Sequence, residues 1–556
     1  MPAHLEPFDN LTKPSVRPAH FLQVPPFPGA RVRNFALLSP LDDAPASLAE
    51  CIALVRAKRV GGTYWGARPD LPPSYTLVRS VNALRSYDRL VKQYGTVLAW
   101  LATPSRVSLP CLVISEECDP WHMLGGAQAL VCEADDDIRA IAAVLGIPTF
   151  VNDIDGGVWR ERDGEIDAIL SSALPITSQF EDPFGGRPMN LLDVIKLTSF
   201  WRSLIDSNRQ IQSGIGFAFW KQDSVRPLLW GGGESGGFFH AQATADPGRA
   251  VAVWRSKASR EMMEKLSRRG TPLIEVEDGF LRSKGLGADC VPPLSITVDR
   301  LGAYFDPGQP SELEDLLQHG EFEPALIARA QCLRKTIVAA GLGKYDRGAD
   351  TLKRLDVDRR QILVPGQVED DRSILTGGSG LVSNLELLKR VRALEPDAFL
   401  IYKPHPDVVA GHRKGHIPEN ISRQFADEVL TDGSISSLIA TVDEVHVNTS
   451  LAGFEALMRF KDVTTHGVPF YAGWGLTHDL GPVPARRTAR RSLDEIVAAT
   501  LLLYPRYLDP VSGLPCPAEV VVDRLTAPSE QPTGALVRMR RLQGRLKRRL
   551  TAWRSA

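Results

Sequence analysis

The sequence predicts an α/β protein of several domains. Three features carry that reading. Short apolar runs of strand length alternate with helix-period segments along most of the 556 residues. Hydroxyl, acidic and histidine side chains gather just past the predicted strand ends, where a parallel sheet presents its carboxyl edge. The length leaves room for more than one core.

Composition narrows the class. The seven cysteines are odd in number, scattered, and without a CxxC pair, which supports neither a disulfide framework nor a zinc ribbon and fits a reducing compartment. The opening MPAHLEPFDN is proline-rich and acidic, unlike a signal peptide, and the longest uncharged apolar run, IVAATLLLY (496–504), falls far short of a membrane span. Membrane contact is therefore expected to be peripheral. Net charge is −1, yet from Arg538 onward there are eight basic residues and no acidic one, so the body of the chain is acidic. That distribution argues against nucleic-acid binding by the body.

In order, residues 1–30 read as a loose proline-rich arm. Up to about residue 195 the text is α/β, with strands such as YGTVLAWL (94–101) and CLVISEE (111–117) and the helix DDDIRAIAAVLG (135–146). LLDVIKLTSFWRSLIDSNRQI (191–211) reads as an amphipathic helix into the second half, and GFAFWK (216–221) as the first strand there. In WGGGESGGFF (230–239), Gly231, Gly233 and Gly236 match GxGxxG. A dinucleotide fingerprint needs a helix opening directly after it, whereas Phe238, Phe239 and His240 follow; the expectation is a mobile glycine loop over a substrate cleft.

AVAVWRSK (250–257) reads as a strand, SREMMEKLSRRG (259–270) as a helix, and PLIEVED (272–278) as another strand. That sets Glu277 and Asp278 at a carboxyl edge with Arg282 and Ser283 just beyond. An arginine there suits bidentate recognition of a carboxylate. The plainer alternative is a structural ion pair between Glu277 and Arg282.

After a helical linker, QILVPG (361–366) reads as a strand followed at once by Gln367, Glu369, Asp370 and Asp371. So many acceptors at one strand end are costly unless they meet water, cations or substrate. FLIYK (399–403) is a further strand, and KPHPD carries Lys403, His405 and Asp407 past its end. Two prolines hold that loop extended and present His405 rigidly, able to donate to a phosphate, although a lone histidine is more often a packed core residue.

The alternating run 442–447 reads as a strand, LAGFEALMRF (451–460) as a helix with one buried face, and 463–466 as a second strand. Asn448, Thr449 and Ser450 stand where that helix starts and would hold a phosphate, with Glu455 one turn in, able to accept from a ribose. The tail PFYAGWGLT (469–477) is either a shaped functional loop or a packed loop pinned by its three aromatics.

TSLAGFEAL (449–457) with HGVPFYAGWGLTHD (466–479) resembles the β-Kdo transferases of capsule biosynthesis, the KpsC type. VEDGFLRSKGLGADCVPPLSITVD (276–299), LVPGQVEDDRSI (363–374), YKPHPDVVAGHRKG (402–415) and RRSLDEIVAATLLLYPRYLDP (490–510) add to it in the family's order. Members usually carry two transferase modules in tandem, and GQVEDD and YKPHPD look more like the second. The resemblance implies a GT-B-like glycosyltransferase with two Rossmann-like lobes preceded by a smaller α/β domain. Expected boundaries are 1–195 for that domain, 196–525 for the β-Kdo transferase module, and 526–556 for a basic amphipathic tail. Within the module, the acceptor-side lobe covers about 215–350 and the CMP-sugar lobe about 355–510.

The resemblance further implies a retaining transfer of Kdo, an eight-carbon keto sugar acid, from CMP-Kdo to a lipid-linked capsular polysaccharide acceptor. Asp371 matches the family's nucleophile, with Arg372 standing where the family has a small residue; Asp370 is the alternative. Glu277 and Asp278 are the other catalytic candidates, and His405 would contact the CMP phosphate. The remaining substrate-binding candidates are Arg282, Ser283, Gln367, Lys403, Thr449, Ser450 and Glu455. No cofactor and no metal are expected, because a nucleoside monophosphate leaves with less need of a cation than a diphosphate. Residues 129–151 repeat a strand–helix–strand outline without the TS pair or the glutamate, either as a relic of a first module or as an unrelated domain.

Partners implied are capsule biosynthesis and export proteins and, through the tail, an anionic membrane surface, with no nucleic acid. Met539, Leu542, Leu546, Leu550 and Trp553 line one stripe of a tail helix, which would hold the protein at the cytoplasmic face of the inner membrane. Two other readings remain: a catalytically silent capsule scaffold, and a transferase using another CMP-sugar.

Overall fold

The structure, a computed structural model, describes residues 21–101, 111–152, 158–161, 163–233, 238–239, 248–283, 291–343, 352–411 and 413–527. The chain divides into two compact units, Met1–Gln210 with Leu229–Gly236, and Ile211–Leu228 with Gly237–Ala556.

The first unit holds strands β1 (Tyr75–Val78), β2 (Val97–Trp100), β3 (Leu112–Ile114), β4 (Ala127–Glu133), β5 (Thr149–Asn152) and β6 (Val158–Arg160), and a small hairpin of β7 (Phe180–Glu181) and β8 (Pro188–Met189). The first six form one sheet in the order β3-β2-β1-β4-β5-β6, parallel except for β6. β1 and β2 are buried at every residue, as strands of a parallel sheet covered on both faces are; Val78, Val97, Ala99 and Val131 pack into one core with Leu84 and Leu90. The helix Leu191–Asn208 starts at a capping box of Asn190 and Asp193 and runs past the boundary expected at residue 195.

Two expectations fail in this unit. The segment read as a loose arm is packed from Phe21: Phe21, Leu22, Val24 and Phe27 are buried, and Phe27 lies edge-on to Trp201 and Trp230. Aromatic and aliphatic side chains between the prolines give that segment enough apolar surface to dock; residues 1–20 lie outside the described residues. The glycine stretch is no open loop at its start. A Cβ on Gly231 would stand 2.8 Å from the Asn208 carbonyl oxygen and one on Gly232 2.0 Å from that of Trp65, so these glycines permit close backbone packing within the first unit. Residues 234–237, with Gly236, lie outside the described residues.

In chain order the second unit contributes β9 (Ile211–Ile215), β10 (Ala250–Val253), β11 (Leu273–Asp278), β12 (Ser295–Asp299), β13 (Gln361–Pro365), β14 (Phe399–Lys403), β15 (Glu428–Val429), β16 (Glu444–Val447), β17 (Asp462–Thr465), β18 (His478–Asp479), β19 (Pro505–Leu508) and β20 (Pro515–Cys516). They make two six-stranded sheets. One has the order β20-β19-β12-β11-β10-β9, with β9, β10 and β11 parallel and β12 and β19 joined antiparallel. The other, β15-β14-β13-β16-β17-β18, is parallel throughout. The order reverses between β13 and β16, which makes their carboxyl ends the place where such a sheet binds ligands. After building the second sheet the chain returns to the first through β19.

The run 216–221 was expected as a strand and is not one. The strand is β9, which ends at Ile215; at the next residue, Gly216, φ is +76° and a Cβ would lie 2.4 Å from the Trp254 carbonyl oxygen. Phe219–Val225 then winds as a helix. The aromatic composition looks like a strand, but the left-handed glycine turns the chain first. Among the described residues no helix is long and apolar enough to cross a membrane.

Candidate active site

The strand–helix–strand of β16, Leu451–Met458 and β17 builds the floor of the site. The Ser450 side chain caps the helix by accepting from Ala452 N at 3.2 Å. Across the switch point, Thr449 N donates to Gln367 Oε1 at 3.0 Å and Gln367 Nε2 donates to Thr449 Oγ1 at 3.2 Å. Two residues 82 apart in sequence are thus paired at the carboxyl ends of β13 and β16. Asn384 fixes the near side: Gln367 N donates to its Oδ1 at 2.8 Å, and its Nδ2 donates to the Gln367 and Gly415 carbonyls at 2.7 and 2.9 Å.

Beyond β14, Lys403 is buried, and its ammonium donates to the Asp432 carbonyl at 3.0 Å. His405 caps the short helix Pro406–Val409, its Nδ1 accepting from Asp407 N at 3.1 Å. A neutral imidazole that accepts at Nδ1 carries its proton on Nε2.

The acidic run separates into distinct roles. Glu369 accepts from Asn384 N at 2.8 Å, and Asp370 is paired with Arg413 at 3.2 Å in an exposed contact. Asp371 is the N-cap of the helix Arg372–Gly377; its Oδ1 accepts from Ser373 N and Ser373 Oγ, each at 3.0 Å. Arg372 reaches from that helix to the other sheet, its Nη1 lying 2.8 Å from Glu275 Oε1 and 2.9 Å from Glu277 Oε1 on β11.

At the carboxyl edge of β11 the sequence expectation needs revision. Arg282 is only 1 % exposed, and its Nε lies 3.1 Å from Asp278 Oδ2 while Nη1 donates to Ser283 Oγ and Nη2 to the Val291 carbonyl. The expected open fork is thus a buried strut, and the ion pair is with Asp278, since side chains on successive strand residues leave opposite faces. Asp278 also accepts from Lys221 at 3.1 Å. Burial lowers the Lys221 ammonium, while Asp278 pulls it back up. Burial pushes the Glu277 carboxyl up to about 8, with Arg372 opposing and Asp278 adding.

Glu455 was expected to face a ribose. It is 4 % exposed, accepts from Ser436 Oγ at 3.4 Å, and lines a small cavity with Phe280, Leu281, Phe454, Met458 and Leu501. The helix was expected to have one buried face, but it is enclosed on every side, with Ala452 through Met458 all buried, so a side chain one turn in has no open face to reach a ligand from. The loop after β17 is packed by its aromatics: Phe470 sits 5.0 Å from Phe280, Trp474 is fully buried, and Tyr471 donates to the Ser450 carbonyl. Arg487, held by Glu314 at 2.7 Å, donates to the Pro469 and Ala472 carbonyls at 2.9 Å each. Sequence reasoning missed Lys221, Asn384 and Arg487; Lys221 lay in the misread strand, and nothing local marked the other two. Away from this edge, Glu395, Glu444 and His446 lie close enough to share a cation, and Arg360 already bridges the two carboxylates.

Residues 249–507 match the family of capsule polysaccharide biosynthesis proteins. The chain is 37 % identical over 449 residues to the capsule polysaccharide modification protein LipA of Neisseria meningitidis serogroup B, a match covering 74 % of this chain and 61 % of that protein. It is 46 % identical over 276 residues to the lipopolysaccharide-processing protein LpsZ of Rhizobium meliloti, covering 49 % of this chain and 62 % of that one. The chain thus spans about three fifths of the length of these relatives. Among solved structures, the β-Kdo 2,4 transferase of Thermosulfurimonas dismutans KpsC is 33 % identical, with 57 % of this chain and 98 % of that one covered and a TM-score of 0.49. The β-Kdo 2,7 transferase of the same protein is 32 % identical, with 56 % and 98 % covered and a TM-score of 0.45.

Proposed function

The chain belongs to the KpsC-type family of capsular polysaccharide β-Kdo transferases through its C-terminal region, and on that premise we propose that its second unit is a retaining transferase moving Kdo from CMP-Kdo to a lipid-linked capsular polysaccharide acceptor. The observation that carries this reading is the Gln367–Thr449 pair at the switch point of the parallel sheet, with Asp371 a few residues past Gln367 after β13 and His405 past the neighbouring strand β14. In this reading the two sheets of the second unit are the two lobes of a GT-B enzyme. CMP lies on the β13–β18 lobe, its phosphate at the positive start of the Leu451–Met458 helix beside His405 Nε2.

Asp371 is the nucleophile. Its Oδ1 is held by Ser373, which aims the carboxylate and leaves Oδ2 to react. In the first displacement Oδ2 bonds to the anomeric carbon, and the bond to the phosphate oxygen breaks with its electron pair leaving on CMP. Glu277, protonated at neutral pH because burial pushes it up to about 8, gives its proton to the departing phosphate. In the second, the acceptor hydroxyl oxygen bonds to the anomeric carbon, the aspartyl bond breaks, and Glu277 takes the hydroxyl proton. Two inversions give retention, and the proton passes from acceptor to CMP. No divalent cation is required.

The first unit repeats the 3-2-1-4-5-6 strand order of the β13–β18 sheet, which supports its being a reduced copy of such a lobe. Its own switch point is filled. Asp136 accepts from Ile138 N at the start of the Ile138–Leu145 helix and pairs with Arg79 at 2.9 Å, so a carboxylate of the chain sits where a phosphate would. The enzyme would work at the cytoplasmic face of the inner membrane with capsule biosynthesis and export proteins, held by the basic tail, which lies outside the described residues.

The test is Asp371→Asn with CMP-Kdo, following CMP release and the intact protein mass. Asparagine still caps the helix, so folding is retained while turnover falls by a factor on the order of a thousand. Near wild-type turnover would move the nucleophile to Asp370. A wild type that releases CMP only from CMP-sialic acid indicates another sugar, and release from neither donor indicates a scaffold.

A further inference from the structure

We infer that Arg372, and not Arg282, receives the carboxylate of the donor sugar; the inference rests on the transferase reading above. Its basis is the placement of charge around the cleft. Arg282 is buried, and all three of its nitrogens are engaged, with Asp278, Ser283 and Val291, inside the protein. Lys221 is committed to Asp278, and its ammonium lies 3.5 Å from the centre of the Trp254 ring. Lys403 donates to backbone carbonyls.

Arg372 differs from these cations. Its side chain is 25 % exposed, a single nitrogen, Nη1, meets both Glu275 and Glu277, and its guanidinium lies over Phe305 with Cζ 5.0 Å from the ring centre. One corner and one face of the fork are therefore fixed. Nε and Nη2 take no partner among the described residues. A planar cation held this way is preorganised for a carboxylate and loses little freedom on binding one.

Two further facts fit. Glu275 is shared with Arg255 at 3.2 Å, and Glu277 holds a proton at neutral pH, so Arg372 is not neutralised by the pair it bridges. In Kdo the carboxylate is bonded to the anomeric carbon itself, so the group that grips it must stand beside the nucleophile. Arg372 is the residue next to Asp371.

The experiment compares CMP-Kdo with its C1 methyl ester on the wild type, Arg372→Gln and Arg372→Lys, with the affinity for CMP alone measured in parallel. The wild type should favour the acid by at least about tenfold in kcat/KM. Arg372→Gln should lose that factor on the acid and nothing further on the ester, Arg372→Lys should fall between, and CMP affinity should stay within about twofold. Equal losses on both donors would make Arg372 only a strut between the sheets and overturn the inference, as would an undiminished preference for the acid in Arg372→Gln. A wild type that turns over neither donor sinks the transferase reading itself, and the inference with it.

Discussion

Replacing Glu277 by glutamine should make the second unit less sensitive to rising pH, by an amount the site dictates. In the folded protein burial holds this carboxyl at about 8, against an ordinary value of 4.5. Between those two values the unfolded chain has lost the proton and the folded chain still holds it. Folding therefore binds a proton, and stability falls as pH rises, by up to about 1.4 kcal/mol per pH unit. Over the whole window the cost is on the order of 5 kcal/mol, all of it present above pH 8 and absent below pH 4.5. Glutamine has no such dependence. Losing the Arg372 contact shifts its stability by an offset that does not vary across the window, because an arginine stays charged throughout. The assay is urea unfolding at pH 5.5 and 7.5, followed by hydrogen exchange in peptides spanning β11 so that only the second unit is read. Glu277→Gln should gain on the wild type by about 2 to 3 kcal/mol between the two pH values. A difference that stays constant within about 0.5 kcal/mol would show that Glu277 is ionised in the folded protein and would remove it as the proton carrier.

Two other perturbations test the floor of the site and the tail. Gly453→Ala puts a methyl 2.2 Å from the buried Tyr471 hydroxyl that holds the Ser450 carbonyl; it should cost about 1 to 3 kcal/mol in thermal unfolding and weaken CMP binding by moving Thr449 and Ser450. Unchanged stability would mean that the aromatic loop yields freely and does not brace the helix start. Deleting residues 536–556 should release the protein from anionic vesicles and leave activity on a short soluble acceptor intact; vesicle binding undiminished by the deletion would refute the anchor.

Much of this architecture can be read from local pattern, since local pattern causes it. The alternation through 442–447, the hydroxyls at 449 and 450 and the helical spacing from Leu451 announce β16, its helix and β17 within a residue or two. The prolines of KPHPD announce a rigid loop, and His405 is held at the start of the helix that follows. The pattern misled where one residue overrode its neighbours: Gly216 adopts a left-handed φ and turns an aromatic run from strand into helix.

What the sequence determined by itself is the set of strand ends and the chemistry carried to them, because backbone propensity and side-chain period act over a few residues. Which of those groups are free to act was decided by the tertiary structure. Arg282 and Glu455 have the right composition and position in the chain, yet the packing of β11 on its neighbours and of the Leu451–Met458 helix on Phe280 buries both. Arg372, by contrast, gains its place because β11 comes within reach of the helix that Asp371 caps, bringing together residues about 95 apart in sequence. Charges pair by distance in space, and burial sets their ionisation. Neither quantity exists until the two sheets of the second unit have formed.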